Sequence, residues 1–307
     1  MVHSILSRLA SRGHEVTVYV IPQSRNEAAP AFEEYVHQGI HVVTCSLVDL
    51  NRHAMPRRPE IVIGQLGASP FAAKIAQLAS AKYVDVVHDC NSRTIRNLVI
   101  CKPSLAICNT PLVRDLVKMH CSDSTVVRPP VDPSIHATGR GDLATLVNLN
   151  KNKGVELFYR IAEAMPHVDF LGVIGGYGEQ ETRGRPINVE IQEHTADMRA
   201  EVWSRTRVLL VPSQRESYAM VSLEAAASGI PVIANAIPGI REAMGGCAVY
   251  LNKNDTDLWV DTINRIYTDG AFEARLSALS VDRSRAVYER TRHDIVRGAD
   301  KVEALAR

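Results

Sequence analysis

Two carboxylates eight residues apart, Glu216 and Glu224, frame the stretch SQRESYAMVSLEAAASG at residues 213–229. An apolar, branched run (VLLV, 208–211) precedes it, a polar loop follows, and an alanine-rich helix over 217–228 ends at Gly229. A helix that opens where a strand ends presents unpaired backbone N–H groups, here of Ala219, Met220 and Val221. Such an N-terminus is an anion site and suits a diphosphate. Glu216 precedes that site and Glu224 lies about a turn inside the helix, so the two flank the phosphate position. A carboxylate accepts two O–H donors at once, which suits sugar hydroxyls. One glutamate can then hold a ribose and the other a sugar to be transferred. Taken alone, Glu216 reads as a solvated loop residue. Glu224 in an apolar helix needs a polar ligand or a partner, because a lone buried carboxylate is costly.

The elements that must position these groups alternate along the chain. Strand-like runs fall at 15–21, 41–45, 61–63, 83–87, 105–108 and 126–127, with helices at 4–11 and 70–81. The segment RPPVDPSIHATGR (128–140), with three prolines, reads as a linker. Beyond it, strands are expected at 143–149, 170–174, 188–191, 208–211, 231–234 and 248–251. Helices are expected at 155–164, 197–205, 217–228, 239–244, 255–267 and 271–278, with a last amphipathic one over 284–307. Strands alternating with helices predict parallel sheets covered on both faces. The expected organisation is a first Rossmann-like domain over 1–138, a second over 139–283, and a C-terminal helix over 284–307 packing back across a cleft between them. The chain opens directly in a helix, where a doubly wound domain opens with its central strand and a Gly-rich turn. The first domain is therefore read as lacking its opening strand, which leaves two sheet edges exposed.

Composition narrows the function classes. The chain has 307 residues, 46% of them apolar, and a net charge of +1, which excludes a strong nucleic-acid footprint. Residues 1–140 carry 15 Lys/Arg against 11 Asp/Glu, and residues 141–307 carry 20 against 23. A mildly basic first half would suit an anionic partner. The six cysteines show neither C-x-x-C nor zinc spacing and are read as reduced thiols of a cytoplasmic protein. No apolar run is long enough to cross a bilayer, and the opening residues do not resemble a secretory leader.

The stretch SQRESYAMVSLEAAASGIPVIANAIPGIRE resembles the E-x7-E region of retaining, GT-B-fold glycosyltransferases of the family-4 type. Further segments in the same order resemble that family: SRGHEVTVYV, VVHDC, RPPVD, NKNKGVELF and VIGGYGEQ. The resemblance implies two Rossmann-like domains and transfer of a sugar from a nucleotide-diphosphate donor to a hydroxyl acceptor. It implies retention of configuration, with no cofactor and no metal. Glu216 would bind the donor sugar and Glu224 the ribose, Lys153 would neutralise the diphosphate, and Gly176 would let backbone approach the donor. The amides of Ala219, Met220 and Val221 would cradle the phosphates, and His88 would donate to the sugar near the reacting carbon. The loop Glu193-His194-Thr195 is a candidate base contact or a plain turn. Asp255 and Asp257 have D-x-D spacing, but Asp255 is read as an N-cap.

Departures from the family also matter. An arginine usual before the lysine turn is replaced by Val147-Asn148 or Asn150, with Arg183, Arg185 and Arg215 as candidate substitutes. The Gly-rich acceptor loop of the first domain is absent. The basic stripe of Arg93, Arg96 and Lys102 reads as a solvated face, with an anionic acceptor site as the other reading. The acceptor stays open among a glycan or lipid, a small metabolite, a protein and a modified nucleic-acid base. Peripheral membrane contact and a partner subunit also stay open. The alternatives to transfer are a nucleotide-sugar-binding protein or subunit, and an epimerase or hydrolase on the same fold.

Overall fold

The computed structural model describes residues 1–21 and 32–306, which divide into two compact units. The first comprises Met1–Pro130 with the segment from Thr291 onward, and the second Val131–Arg290.

In the first unit, helix α1 (Val2–Ser11) leads into β1 (Thr17–Val20), then β2 (Glu33–His37) and β3 (Ile40–Thr44). These strands form one sheet in the order β1-β3-β2, with β1 parallel and β2 antiparallel to β3. After α2 (Leu50–Ala54) come β4 (Ile61–Gln65), α3 (Ser69–Ala79), β5 (Lys82–Val87), α4 (Ser92–Cys101), β6 (Leu105–Cys108), α5 (Pro111–Val117) and β7 (Asp123–Val126). Strands β4 to β7 make a second, wholly parallel sheet in chain order. Its central strands are buried on both faces and read as continuous apolar runs, as parallel strands under helices must. Ile5 and Leu9 of α1 pack on Val84, Val86, Leu105 and Ile107. Among the described residues no strand joins β1 to β4, so the expected lack of an opening strand is seen as a break between two sheets.

The second unit begins with α6 (Pro133–His136) and continues through β8 (Leu143–Val147), α7 (Val155–Ala164), β9 (Phe170–Val173), β10 (Val189–Gln192) and α8 (Met198–Glu201). Then follow β11 (Thr206–Val211), α9 (Met220–Ala227), β12 (Val232–Asn235), α10 (Pro238–Met244), β13 (Val249–Leu251), α11 (Thr256–Thr268) and α12 (Gly270–Glu303). The six strands form one parallel sheet in the order β10-β9-β8-β11-β12-β13. The chain therefore winds outward from β8, returns, and winds outward the other way from β11. Where that reversal occurs, the loops after β8 and β11 separate at the carboxyl ends of the strands, the standard place for a ligand.

Several elements differ from expectation, each for a local reason. The helices expected at 271–278 and 284–307 are one helix, because residues 279–283 contain neither Gly nor Pro to interrupt it. Arg207 lies against its first turns, with Nη2 donating to Glu273 at 2.8 Å. Its residues up to 290 belong to the second unit: Arg283 donates to the Ala243 and Glu242 carbonyls at 2.6 and 2.7 Å, and Val287 joins that core. Arg307 lies outside the described residues. The first boundary falls after Pro130 rather than 138, because Val131 is buried in the second core and Thr138 N–H donates to Ser228 Oγ at 3.0 Å. The segment 197–205 is a short helix followed by a 3₁₀ turn. Strand β2 and helices α4 and α5 carry no clear apolar period in sequence. β2 is exposed along its length, while α4 and α5 are started by the side-chain caps of Asn91 and Thr110.

One buried ion pair anchors the last helix within the first unit. Arg128 Nη1 lies 2.6 Å from Asp294 Oδ2, both side chains only 4% exposed, and Arg297 Nη2 donates to the other carboxylate oxygen at 2.6 Å. Removing one partner of such a pair leaves an uncompensated buried charge. Asp294→Ala is therefore expected to lower the unfolding free energy by about 3–5 kcal/mol in urea titrations. A loss below about 1 kcal/mol would show that the pair is solvated in solution.

Candidate functional site

The loops at the switch point are held so close that several positions have no room for a side chain. A Cβ on Gly239 of α10 would lie 2.0 Å from the Glu216 carbonyl oxygen. One on Gly154 would meet Pro212 at 2.7 Å, and one on Gly175 would meet the Asn148 side chain at 2.2 Å. Gly154 also takes a positive φ of 86°, which glycine adopts without strain. These contacts fix the loop after β11 against the turn after β8 and against the start of α10.

This packing brings Lys153 and Glu216, 63 residues apart in the chain, into an ion pair. Each side chain is only 12% exposed, and Ser213 Oγ donates to the same carboxylate oxygen at 3.1 Å. Burial disfavours the Lys153 ammonium, but the Glu216 charge outweighs it, and the net effect holds its pKa above the ordinary value. Lys153 Nζ also lies 5.8 Å from the centre of the Tyr177 ring. Asn152 Nδ2 donates to the Arg215 carbonyl at 3.2 Å, a second tie between the two loops.

Helix α9 opens beside this pair. Ala219 is its N-cap residue, and no side chain caps it. By contrast α4, α5, α8 and α11 each have a side-chain cap, the last from Asp255 accepting from Leu258 N–H at 3.1 Å, as the sequence reading expected. The N–H groups of Ala219, Met220 and Val221 are therefore left to an anion at a positive helix end. One turn in, Glu224 is flanked by Leu223 and Ala225, both buried. No described residue gives it a hydrogen bond or ion pair, and burial alone pushes its pKa up to about 7.

The Gly-rich loop after β9 forms the next wall. Its glycines divide by role: Gly175 is required by packing, whereas a Cβ at Gly176 would meet only His194, at 3.6 Å, an ordinary contact. The structure thus places His194 beside Gly176 and leaves space there. Glu193 is exposed, and Thr195 Oγ1 accepts from Asp197 N–H at 2.9 Å just before α8.

The positions where the related family carries an arginine hold a neutral network instead. Asn148, at φ 73°, accepts at Oδ1 from Asn150 Nδ2 at 2.7 Å and from Gln180 Nε2 at 2.8 Å. Gln180 Oε1 in turn accepts from the N–H groups of Leu149 and Gly175, at 2.9 and 3.0 Å. Asn150 Oδ1 accepts from Lys153 N–H at 3.0 Å and so sets the lysine turn. Asn tolerates left-handed backbone better than a long side chain does, which suits Asn148 to this place. Of the candidate substitutes, Arg185 Nε donates to the Val189 carbonyl at 3.2 Å and Arg183 is exposed on the same loop. Arg215 is exposed next to Glu216 in the chain. Asn148, Asn150, Gln180 and Gly239 were not singled out by sequence as parts of the site. Only the Asn150 side of it was legible, as an Asn just before a Lys-Gly turn.

His88 lies in the first unit, at the carboxyl end of β5, with Nε2 2.9 Å from Gln65 Oε1. Burial lowers its pKa, so the ring is neutral at pH 7. Arg93 and Arg96 lie on α4, and Lys102 ends that helix.

Comparison with known proteins agrees with this geometry. Residues 140–269 match the family model described as glycosyl transferases group 1. A D-inositol 3-phosphate glycosyltransferase of Stackebrandtia nassauensis is 33% identical over 100 residues, 32% of this chain and 23% of the relative. The protein of the same name from Xylanimonas cellulosilytica is 30% identical over 166 residues, 48% of this chain and 37% of the relative. These matches thus span well under half the length of the relatives. Among solved structures, sucrose-phosphate synthase from Thermosynechococcus elongatus superposes with a TM-score of 0.74 at 14% identity, covering 99% of this chain and 92% of the other. Anabaena HepE in complex with UDP-glucose gives 0.69 at 17% identity, covering 87% and 86%. At these identities the structural likeness establishes the fold.

Two measurements check the site. Glu224 is more easily protonated folded than unfolded, so its contribution to stability is full below pH 4.5 and is lost as pH rises through about 7. Glu224→Gln should abolish that loss, leaving the variant more stable than the parent by about 2–3 kcal/mol at pH 8 and near parity at pH 4.5. A pH-independent difference would mean that the carboxylate is solvated. Gly239→Ala should lower Tm by several degrees, roughly 1–3 kcal/mol of overpacking, whereas Gly176→Ala should leave Tm unchanged. Equal Tm losses would deny the division between packing and open glycines. The uncapped helix, the paired lysine and the family match meet in one stretch of chain: residues 140–269 are a glycosyl transferases group 1 domain, and the chain has the α/β fold of the GT-B glycosyltransferases.

Proposed function

We propose that the chain transfers a sugar from a nucleoside-diphosphate donor to a hydroxyl acceptor, with retention of configuration and without a metal. The observation that carries this reading is the conjunction of an uncapped helix N-terminus, a buried Lys153–Glu216 pair and an unpartnered Glu224. A diphosphate supplies the anion that the α9 amides lack. Its charge draws Lys153 away from Glu216, which frees that carboxylate for hydroxyls of the transferred sugar. Glu224 accepts the two ribose hydroxyls and is thereby kept ionised. The nucleotide-sugar reading is also supported by the UDP-glucose held by Anabaena HepE, which shares the fold.

In the reaction, the bond between the anomeric carbon and the diphosphate oxygen breaks as the acceptor oxygen bonds to the same face. The acceptor proton passes to the departing diphosphate. The protein supplies position and fixed charge rather than a covalent nucleophile: Lys153 and the α9 amides stabilise the negative charge that develops on the leaving group. His88, kept neutral, fits the role of hydrogen-bond donor that the family resemblance gives it.

The neutral Asn148–Asn150–Gln180 network favours a second reading, binding without transfer, because it removes one cation from the phosphate site. One experiment separates the two. Calorimetric titration with a panel of nucleoside-diphosphate sugars, repeated in buffers of different ionisation enthalpy at pH 6.5, should show saturable binding of one donor with proton release. Glu224→Gln should weaken that binding by about 1–3 kcal/mol and abolish the proton release. Unchanged affinity would remove Glu224 from the ribose. With the donor named, Glu216→Gln and His88→Ala should each lower kcat by about tenfold or more at similar nucleotide affinity. Tight binding with no turnover across acceptors, and activity abolished by EDTA, are the results that would sink transfer and metal independence respectively.

A further inference from the structure

The first unit contains a cavity of about 640 Å³ that the donor site does not use, and this inference is independent of the reading above. β1 and β4 both line it, one the edge of each sheet. The two strands start at the same end. Arg57, four residues before β4, lies 3.8 Å from Glu15, two residues before β1. In a parallel pair alternate residues bond one neighbour and the others face away. Val16 and Val20 carbonyls accept from His41 and Cys45 of the β3 segment, and the Glu60 carbonyl accepts from Lys82 before β5. The backbone N–H and C=O groups of Thr17, Tyr19, Ile61 and Ile63 are therefore the set aimed into the cavity from its two sides.

The remaining walls are apolar. Leu6 and Leu9 of α1 with Val302 of α12 close one face, and Leu50, Ala54 and Ile75 close the other. A ligand that fits must offer hydrogen-bonding groups on two opposite sides and apolar groups on the two others. An extended polypeptide has that arrangement, since its backbone bonds sideways and its side chains alternate up and down. A strand of about five residues, with ~3.3 Å rise, ~4.8 Å spacing and a ~10 Å layer, occupies roughly 800 Å³, the scale of this cavity.

We propose that the cavity is a strand-binding slot. It takes one extended peptide segment of about five residues, hydrogen-bonded to both β1 and β4, and so converts two sheets into one of eight strands. Because both faces of the slot are apolar, the segment is a continuous run of branched apolar residues rather than an alternating one. Proline is excluded, since donors are needed on both sides.

The test uses the 307-residue chain and the synthetic peptide acetyl-KVVIVVK-amide, with a control of the same sequence N-methylated at alternate bonds. Saturating peptide should slow amide exchange of Thr17, Tyr19, Ile61 and Ile63 by about tenfold or more and raise Tm by roughly 4 °C or more. The N-methylated control should do neither. A peptide this short binds weakly when free, so the same sequence is also joined ahead of Met1 through a Gly-Ser linker, which raises its effective concentration. The proposal is overturned if neither form protects those four amides. It is also overturned if the N-methylated control protects them equally, which is apolar adsorption. Concentration-dependent protection without peptide, matched by a dimer in sedimentation, overturns it in favour of a second copy at the edges.

Discussion

The candidate site depends on backbone approaching backbone without side chains between. At Gly239, Gly154 and Gly175, a single added carbon would sit 2.0, 2.7 and 2.2 Å from its neighbour, inside any permitted contact. Those three positions bind the loop after β11, the turn after β8 and the loop after β9 into one rigid rim. Once the rim is set, the rest follows from topology. A parallel sheet that winds both ways from its centre must part its loops between β8 and β11, and the uncapped end of α9 faces the opening so formed.

Charge in this rim is arranged so that it is incomplete without a ligand. Lys153 and Glu216 satisfy one another, which lets both be largely buried. Glu224 has no such relief, and its environment favours the neutral form near pH 7. An alanine-rich helix could have carried any small residue there at lower cost. A retained carboxylate in that position is stabilised only by donors that arrive from outside, and hydroxyls on adjacent carbons supply two of them. The same argument separates Asp255, whose carboxylate is fully used as a cap. Spacing alone made the D-x-D pair resemble a metal motif, and one hydrogen bond to its own helix removes the resemblance.

Much of the second unit was legible in the sequence because its signals are local. The run VLLV, the polar loop and the Gly-terminated alanine helix place Glu216 and Glu224 within a few residues of their true positions, though the helix starts at Met220 rather than 217. What sequence could not supply was pairing across distance. Lys153 was assigned to the phosphate and Glu216 to the sugar, yet in the structure they bind each other. The Asn148–Asn150–Gln180 network was visible only as a missing arginine, because three amides spread over 33 positions carry no period. The single long helix α12 was split in two for the opposite reason. Its apolar face changes neighbours along its length, packing first with residues such as Leu276 and Val287 and later with Ala299 and Val302, so no one period describes it.

The two units also show how differently sheet edges can be treated in one chain. In the second, six strands form a single sheet whose inner strands are bonded on both sides. In the first, the exposed strand β2 covers one edge of the three-stranded sheet by pairing antiparallel, and its Glu33, Glu34 and His37 mark it as a charged outer edge. No such device guards β1 or β4. Their flanks carry branched apolar residues, and the charges Glu15, Arg57 and Glu60 lie before the strands rather than on them. An edge selected to stay free would be charged, short or bulged. An edge with apolar residues above and below and bare amides alongside has the chemistry of an interior position, and an interior position requires a strand on its other side.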